Sequence, residues 1–203
     1  PAPQPTAPEH EAAHPARPVV HPLTAFERLL AGRRSVRHFT PEPLDEDEIA
    51  RLFWAAQGVT DAEGHRTAPS AGARYPLEVH AVTPLGIFRY RPATGELLPT
   101  RNGDRRGTLA EAAWGSEAIA EAPVTFVIAA IYARTEARYG SVRGPRYVEM
   151  EAGHACQNVL IEAASLGFGA VPLGAFDDRR VQLVVGLPAD ERPLYLIAVG
   201  YPA

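Results

Sequence analysis

Apolar side chains recur at helical spacing early in the chain. In TAFERLLAG, Phe26, Leu29 and Leu30 share one face. Thr24 and Glu27 have the spacing of a capping box, and Gly32 ends the segment. LDEDEIARLFWAAQG repeats the design: Asp45 caps, Glu48 closes the box, Ile49, Leu52, Phe53 and Ala56 face a core, and Gly58 stops the helix. The period then shortens. LEVHAVTP and GIFRYRP read as strands joined by a Pro84–Gly86 turn into a hairpin, and residues 105–121 read as helical. PVTFVIAAIY is continuously apolar and β-branched, which predicts a central strand covered on both faces. A long helix is expected from about Tyr147 to Leu166, stopping at Gly167. GAVPLGAF follows as a short strand and loop, DDRRVQLVVG as a helix capped by Asp177 or Asp178, and PLYLIAVGYP as the last strand. The order predicts one layered α+β domain over residues 23–203, without internal repeats.

Residues 1–22 carry Pro1, Pro3, Pro5, Pro8, Pro15, Pro18 and Pro22 and few apolar side chains, so a flexible arm is expected there. Within it, His10, Glu11 and His14 spell H-E-x-x-H, the spacing of a zinc peptidase. Pro8 and Pro15 bracket the motif and leave too little helix to hold two imidazoles rigidly, and no third ligand is evident. Glu151 and His154 form an E-x-x-H, but the second pair that a di-iron bundle requires is missing from the rest of the domain. No metal is expected.

Charge narrows the partners. The net charge of −4 and the pI of about 6.0 argue against nucleic acid or an anionic membrane. The longest apolar run, VTFVIAAIYA, is too short for a ~30 Å bilayer core. Cys156 is the single cysteine, which excludes an internal disulfide and fits a reducing cytosol. A cytoplasmic protein is expected. The start at Pro1 rather than methionine leaves an exported form with a removed leader as the alternative.

Three stretches carry candidate chemistry. GRRSVRHF clusters Arg33, Arg34, Ser35 and Arg37, whose guanidinium forks and hydroxyl suit a phosphate, although a basic run is also a common solvated surface. APSAGARYP is rich in small residues that let backbone approach a flat ring, or form a plain loop. VPLGAFDD, between strand and helix, offers backbone amides to a ring edge, or makes a tight βα turn.

Taken together with LFWAAQGVT, RYVEMEAGHACQNVLIEA and LYLIAVGYP, these stretches resemble the nitroreductase-like FMN flavoprotein superfamily over about Gly32 to Pro202. The closer similarity is to its SagB-type dehydrogenase branch, which includes azoline oxidases. The resemblance implies a three-layer fold with a mixed, mainly antiparallel sheet flanked by helices. It also implies a homodimer with FMN sites lined by both chains. Arg33 and Ser35 match positions that hold the FMN phosphate and ribityl chain, with Arg34 nearby, and Arg37 matches the cation at the flavin N1/O2 edge. Pro69, Ser70 and Ala71 match a loop that the partner subunit lays against the ring. Pro172, Leu173, Gly174 and Ala175 match the loop on the other ring side, with Gly174 standing where a common nitroreductase version has glutamate.

On the long helix, Glu151, His154, Asn158 and Glu162 form a polar stripe, read either as a seam at the dimer interface or as a route for His154 or Gln157 to the flavin. Azoline oxidases carry a Lys-Tyr pair where this chain has Arg138–Tyr139. Arginine does not give up its proton in a protein, so Tyr139 is the acid or base of that pair. Tyr139, Arg138 and His154 are the candidate catalytic residues. Many superfamily members continue beyond GYP with another phosphate-binding cation, a role open here to Arg34, Arg179 or Arg180. The activity implied is FMN-dependent oxidation and reduction by a ping-pong cycle of hydride transfer through flavin N5. An NAD(P)H-dependent nitro or quinone reductase and a non-catalytic flavin-binding module are the alternatives.

Overall fold

The apolar segment Val124–Ile131 forms strand β4, in the interior of a six-stranded sheet. The structure is a computed structural model that describes residues 22–203. The proline-rich arm up to residue 21, with its H-E-x-x-H motif, lies outside the described residues. The other strands are β1 (Leu77–Val82), β2 (Gly86–Arg91), β3 (Glu96–Asn102), β5 (Gly169–Leu173) and β6 (Glu191–Gly200). The spatial order is β3-β2-β1-β4-β6-β5, and neighbouring strands pair antiparallel throughout. A parallel bridge, Ser35 to Ala170, attaches an extended segment to β5.

Alternation along the strands divides the core in two. Val124, Phe126 and Ile128 of β4 meet helices α2 (Glu46–Gln57) and α5 (Ala133–Ser165) on one face. Val127 of β4 and Leu196 and Ala198 of β6 meet α3 (Arg106–Ala112), α4 (Glu117–Glu121) and α6 (Asp178–Val185) on the other. The result is the expected three-layer α+β arrangement.

The two capping boxes form as read, at Thr24/Glu27 for α1 (Ala25–Gly32) and Asp45/Glu48 for α2. Four features differ from the sequence reading. The apolar face of α1 is not buried, since Phe26 is 59% and Leu30 45% exposed. Residues 105–121 make two helices, because Trp114 (φ 58°) and Gly115 (φ 76°) turn the chain between them. β3 forms as an edge strand with Pro99 in it, from a segment lacking apolar alternation. α5 begins at Ala133, well before Tyr147, with a kink at Gly140 (φ 74°, ψ 168°) and Pro145 inside. Among the described residues, no helix is long and apolar enough to cross a membrane.

Candidate active site

The cationic stretch after α1 is held against the sheet edge. Val36 N–H donates to Ala170 O at 3.1 Å. A Cβ at Gly169 would stand 2.6 Å from Val36 Cγ1, so only glycine lets the two backbones approach this closely. This contact aligns residues 35–37 with β5, and β5 runs on into Pro172–Ala175. Arg37 and Pro172, Leu173, Gly174 and Ala175 therefore line one cleft of about 490 Å³, together with His38 and the start of α4. A Cβ at Gly174 would meet nothing within 4 Å, so the loop backbone is open at that point.

Arg33 and Arg34 line a separate groove of about 350 Å³ with Val36, Leu160 and the Gly167–Ala170 backbone. Arg34 Nη1 donates to the carbonyls of Ala31 and Arg33, both at 2.9 Å, and so caps the C-terminus of α1. Arg37 Nη1 donates only to Ser35 O, at 3.4 Å. Neither Arg33 nor Arg37 pairs with a carboxylate among the described residues. Arg180 is engaged with Glu111, 3.4 Å away, and Arg179 is exposed.

The second predicted loop lies elsewhere in the protomer. Residues 69–75 sit on α5 in a strained conformation: Gly72, Ala73 and Tyr75 have φ of 60°, 52° and 45°. Several contacts fix it. Tyr75 N–H donates to Ser70 Oγ at 2.8 Å, Arg134 Nη1 donates to Tyr75 O at 3.0 Å, and the Arg66 guanidinium stands 4.4 Å over the Tyr75 ring. Asn158 Nδ2 anchors the preceding turn through Thr67 O at 3.2 Å. A Cβ at Gly72 would approach the Tyr139 hydroxyl to 2.6 Å. Pro69–Ala71 and Arg138–Tyr139 thus form one neighbourhood, in which Tyr139 also packs edge-to-face on Tyr147 at 5.0 Å. This neighbourhood and the Arg37 cleft do not share a lining residue.

The polar stripe of α5 splits by face. Glu151 is buried, and its carboxyl is pushed up to about 7, chiefly by burial, against the opposing pull of the Ser70 hydroxyl and the Arg66 charge. Asn158 is half-buried, while His154 and Gln157 are exposed and their side chains bond to no other described residue. The Cys156 thiol is buried and pushed up to about 12 by desolvation, which leaves it unreactive.

The Nitroreductase family model matches residues 30–201, a span that includes the Arg37 cleft, the strained loop and the whole sheet. The chain belongs to the nitroreductase family. It is 42% identical over 181 residues to "Putative nitroreductase MJ1384" of Methanocaldococcus jannaschii, covering 86% of this chain and 90% of that one. A crystal structure of a protein from Ralstonia eutropha JMP134, also described as a nitroreductase, superposes with a TM-score of 0.80 at 29% identity, over 94% of this chain and 87% of the other. A chain of the E. coli microcin synthetase McbBCD complex superposes at 0.76 with 21% identity, over 96% and 79%, and shares the fold. Membership of the nitroreductase family supports an oxidoreductase activity.

On this nitroreductase-family scaffold the structure adds a charged cluster that the sequence reading missed. Glu78 receives Arg134 Nη2 at 2.6 Å and Arg89 Nη2 at 2.8 Å. Arg89 also meets Glu191 at 3.3 Å, and Glu191 meets His80 Nε2 at 3.1 Å. The available signal was the polar pair Glu78 and His80 inside the strand LEVHAV, whose partners are remote in the chain.

Proposed function

We propose that the protein is an FMN-dependent oxidoreductase working as a homodimer. The observation that carries this reading is the sharing of one cleft by Arg37 and the Pro172–Ala175 backbone, with Arg33 and Ser35 on the same extended segment. These residues fit the group. A cation without a carboxylate partner, an open glycine backbone and an adjacent groove lined by Arg33 suit a ligand with a flat ring and an anionic tail. Bound there, FMN would supply reversible two-electron chemistry, with hydride taken up and released at N5.

The residues of this chain set the conditions for that chemistry. Arg37 would hold negative charge at the ring edge, and the backbone amides of Leu173, Gly174 and Ala175 would present fixed donors that need no reorganisation. Arg33 and Ser35 would hold the phosphate and ribityl end. The strained loop Pro69–Ala71 and the Arg138–Tyr139 pair serve the site of the second protomer, where Tyr139 is the proton carrier and Arg138 a fixed charge. His154, exposed on α5, belongs to the same interface.

Two residues bear on the direction of catalysis, and they pull opposite ways. Gly174 in place of glutamate favours a SagB-type dehydrogenase that oxidises an organic substrate. Arg138 in place of a lysine base favours a reductase that takes electrons from NAD(P)H and gives them to a nitro or quinone acceptor. Anaerobic mixing with NADH or NADPH separates the two: rapid bleaching of the flavin identifies the reductase. Flavin that is bound tightly yet reduced by no donor identifies a non-catalytic module. The primary test is colour. The purified protein is expected to be yellow and to release FMN on denaturation, and a colourless protein that binds no added FMN overturns the reading.

A further inference from the structure

A cavity of about 360 Å³ opens beside the strained loop, lined by Arg66, Arg89, Arg91, Arg134, Glu78 and Tyr90. Its cations are not all paired. Arg89 and Arg134 are matched by Glu78 and Glu191, and Arg91 lies 3.6 Å from Glu96. Three of the four guanidiniums are thus ion-paired, and one of their carboxylates, Glu191, also serves His80. Arg66 is the unpaired cation. Its Nη1 donates to a neutral acceptor, Gln57 Oε1, at 2.7 Å, and it makes no ion pair among the described residues. Glu78 and Glu151 act on it only at longer range.

Arg66 is nevertheless half-buried and rigidly placed, fixed between the buried Gln57 amide and the Tyr75 ring. Holding a partly desolvated guanidinium without a direct ion pair favours the arrival of a partner. Its remaining N–H groups form a planar fork suited to a carboxylate. Tyr90 and Leu98 line the same cavity and supply apolar wall. The volume lies in the range of roughly 300–1,000 Å³ common for small-molecule sites.

The geometry points to a binding site in this cavity for one small organic carboxylate, with its carboxylate on Arg66 and its apolar body against Tyr90 and Leu98. One unpaired guanidinium matches a monoanion better than a phosphate dianion. The site is distinct from the Arg37 cleft and does not depend on the flavin reading.

Calorimetric titration of the purified protein with benzoate tests this, with inorganic phosphate as the comparison. Benzoate should bind one per chain, more tightly than phosphate. Arg66→Met should weaken it at least tenfold, Arg66→Lys should restore part of the loss, and Arg37→Ala should leave it unchanged. Absence of benzoate binding at millimolar concentration, equal affinity in Arg66→Met, tighter binding of phosphate, or loss of binding in Arg37→Ala each overturns the assignment. If Arg66→Met does not fold, phenylglyoxal modification of the wild-type protein decides: benzoate should protect Arg66, and unchanged labelling overturns the site.

Discussion

Arg37 shows what a single side chain contributes. It is exposed, lines the cleft with Gly174, and among the described residues its side chain has only a long bond to Ser35 O. Arg37→Ala should therefore leave folding intact while weakening FMN by about 1–3 kcal/mol, the scale of a charged hydrogen bond. Flavin fluorescence titration measures the change. Glu151 makes a different prediction. Its folded-state value of about 7 lies above the ordinary carboxylate value of 4.5. Below pH 4.5 both folded and unfolded chains hold the proton, and nothing is lost. As pH rises from 4.5 to 7 the unfolded chain releases its proton first, so stability falls, and above 7 the full cost is present. Glu151→Gln removes that slope. At pH 8 the variant should be more stable than wild type, by on the order of 3 kcal/mol at ~1.4 kcal/mol per pKa unit. The difference should vanish near pH 4, which urea unfolding at the two pH values checks.

At the scale of elements, caps and apolar periods were legible because they are local. Thr24/Glu27 and Asp45/Glu48 sit three residues apart, and their bonds depend on nothing distant. The misses have non-local causes. β3 is an exposed edge stabilised by pairing with β2, so its own sequence carries little apolar signal. The first half of α5 contains Gly140, Gly144 and Pro145, which read as breaks. Tertiary contact uses the glycines instead: a Cβ at Gly144 would stand 3.0 Å from Glu136 Cα, and Gly140 supplies the positive φ that turns the helix. Gly140→Ala should accordingly lose about 1 kcal/mol or more, seen as a lower denaturation midpoint with an unchanged slope. The Glu78 cluster was illegible for a related reason, as His80 and Glu191 stand 111 positions apart.

The whole molecule displays apolar surface that one protomer does not cover. Phe26 and Leu30 on α1, Trp54 on α2 and Met150 on α5 are 45–59% exposed, and α1 contacts α5 without burying any of its own residues. α5 also carries the polar stripe that the sequence offers as a seam of a homodimer. Light scattering after size exclusion should give twice the mass of 21.9 kDa. Trp54→Asp with Met150→Asp should shift the species towards monomer and reduce flavin retention with it, because the Pro69–Ala71 loop would lose the site it serves.

The seam between Val36 and Ala170 also bears on solubility. β5 and β3 are the outer strands of the sheet, and an open outer strand offers unpaired backbone to any chain that meets it. Pro99 blunts β3, since it has no N–H to offer. On β5 the guard is the segment that carries Arg37. Gly169→Val would push that segment away and uncover the strand, so turbidity on storage should rise even in protein that has never been asked to turn over. The residues that shape the cleft also protect the sheet from its own copies.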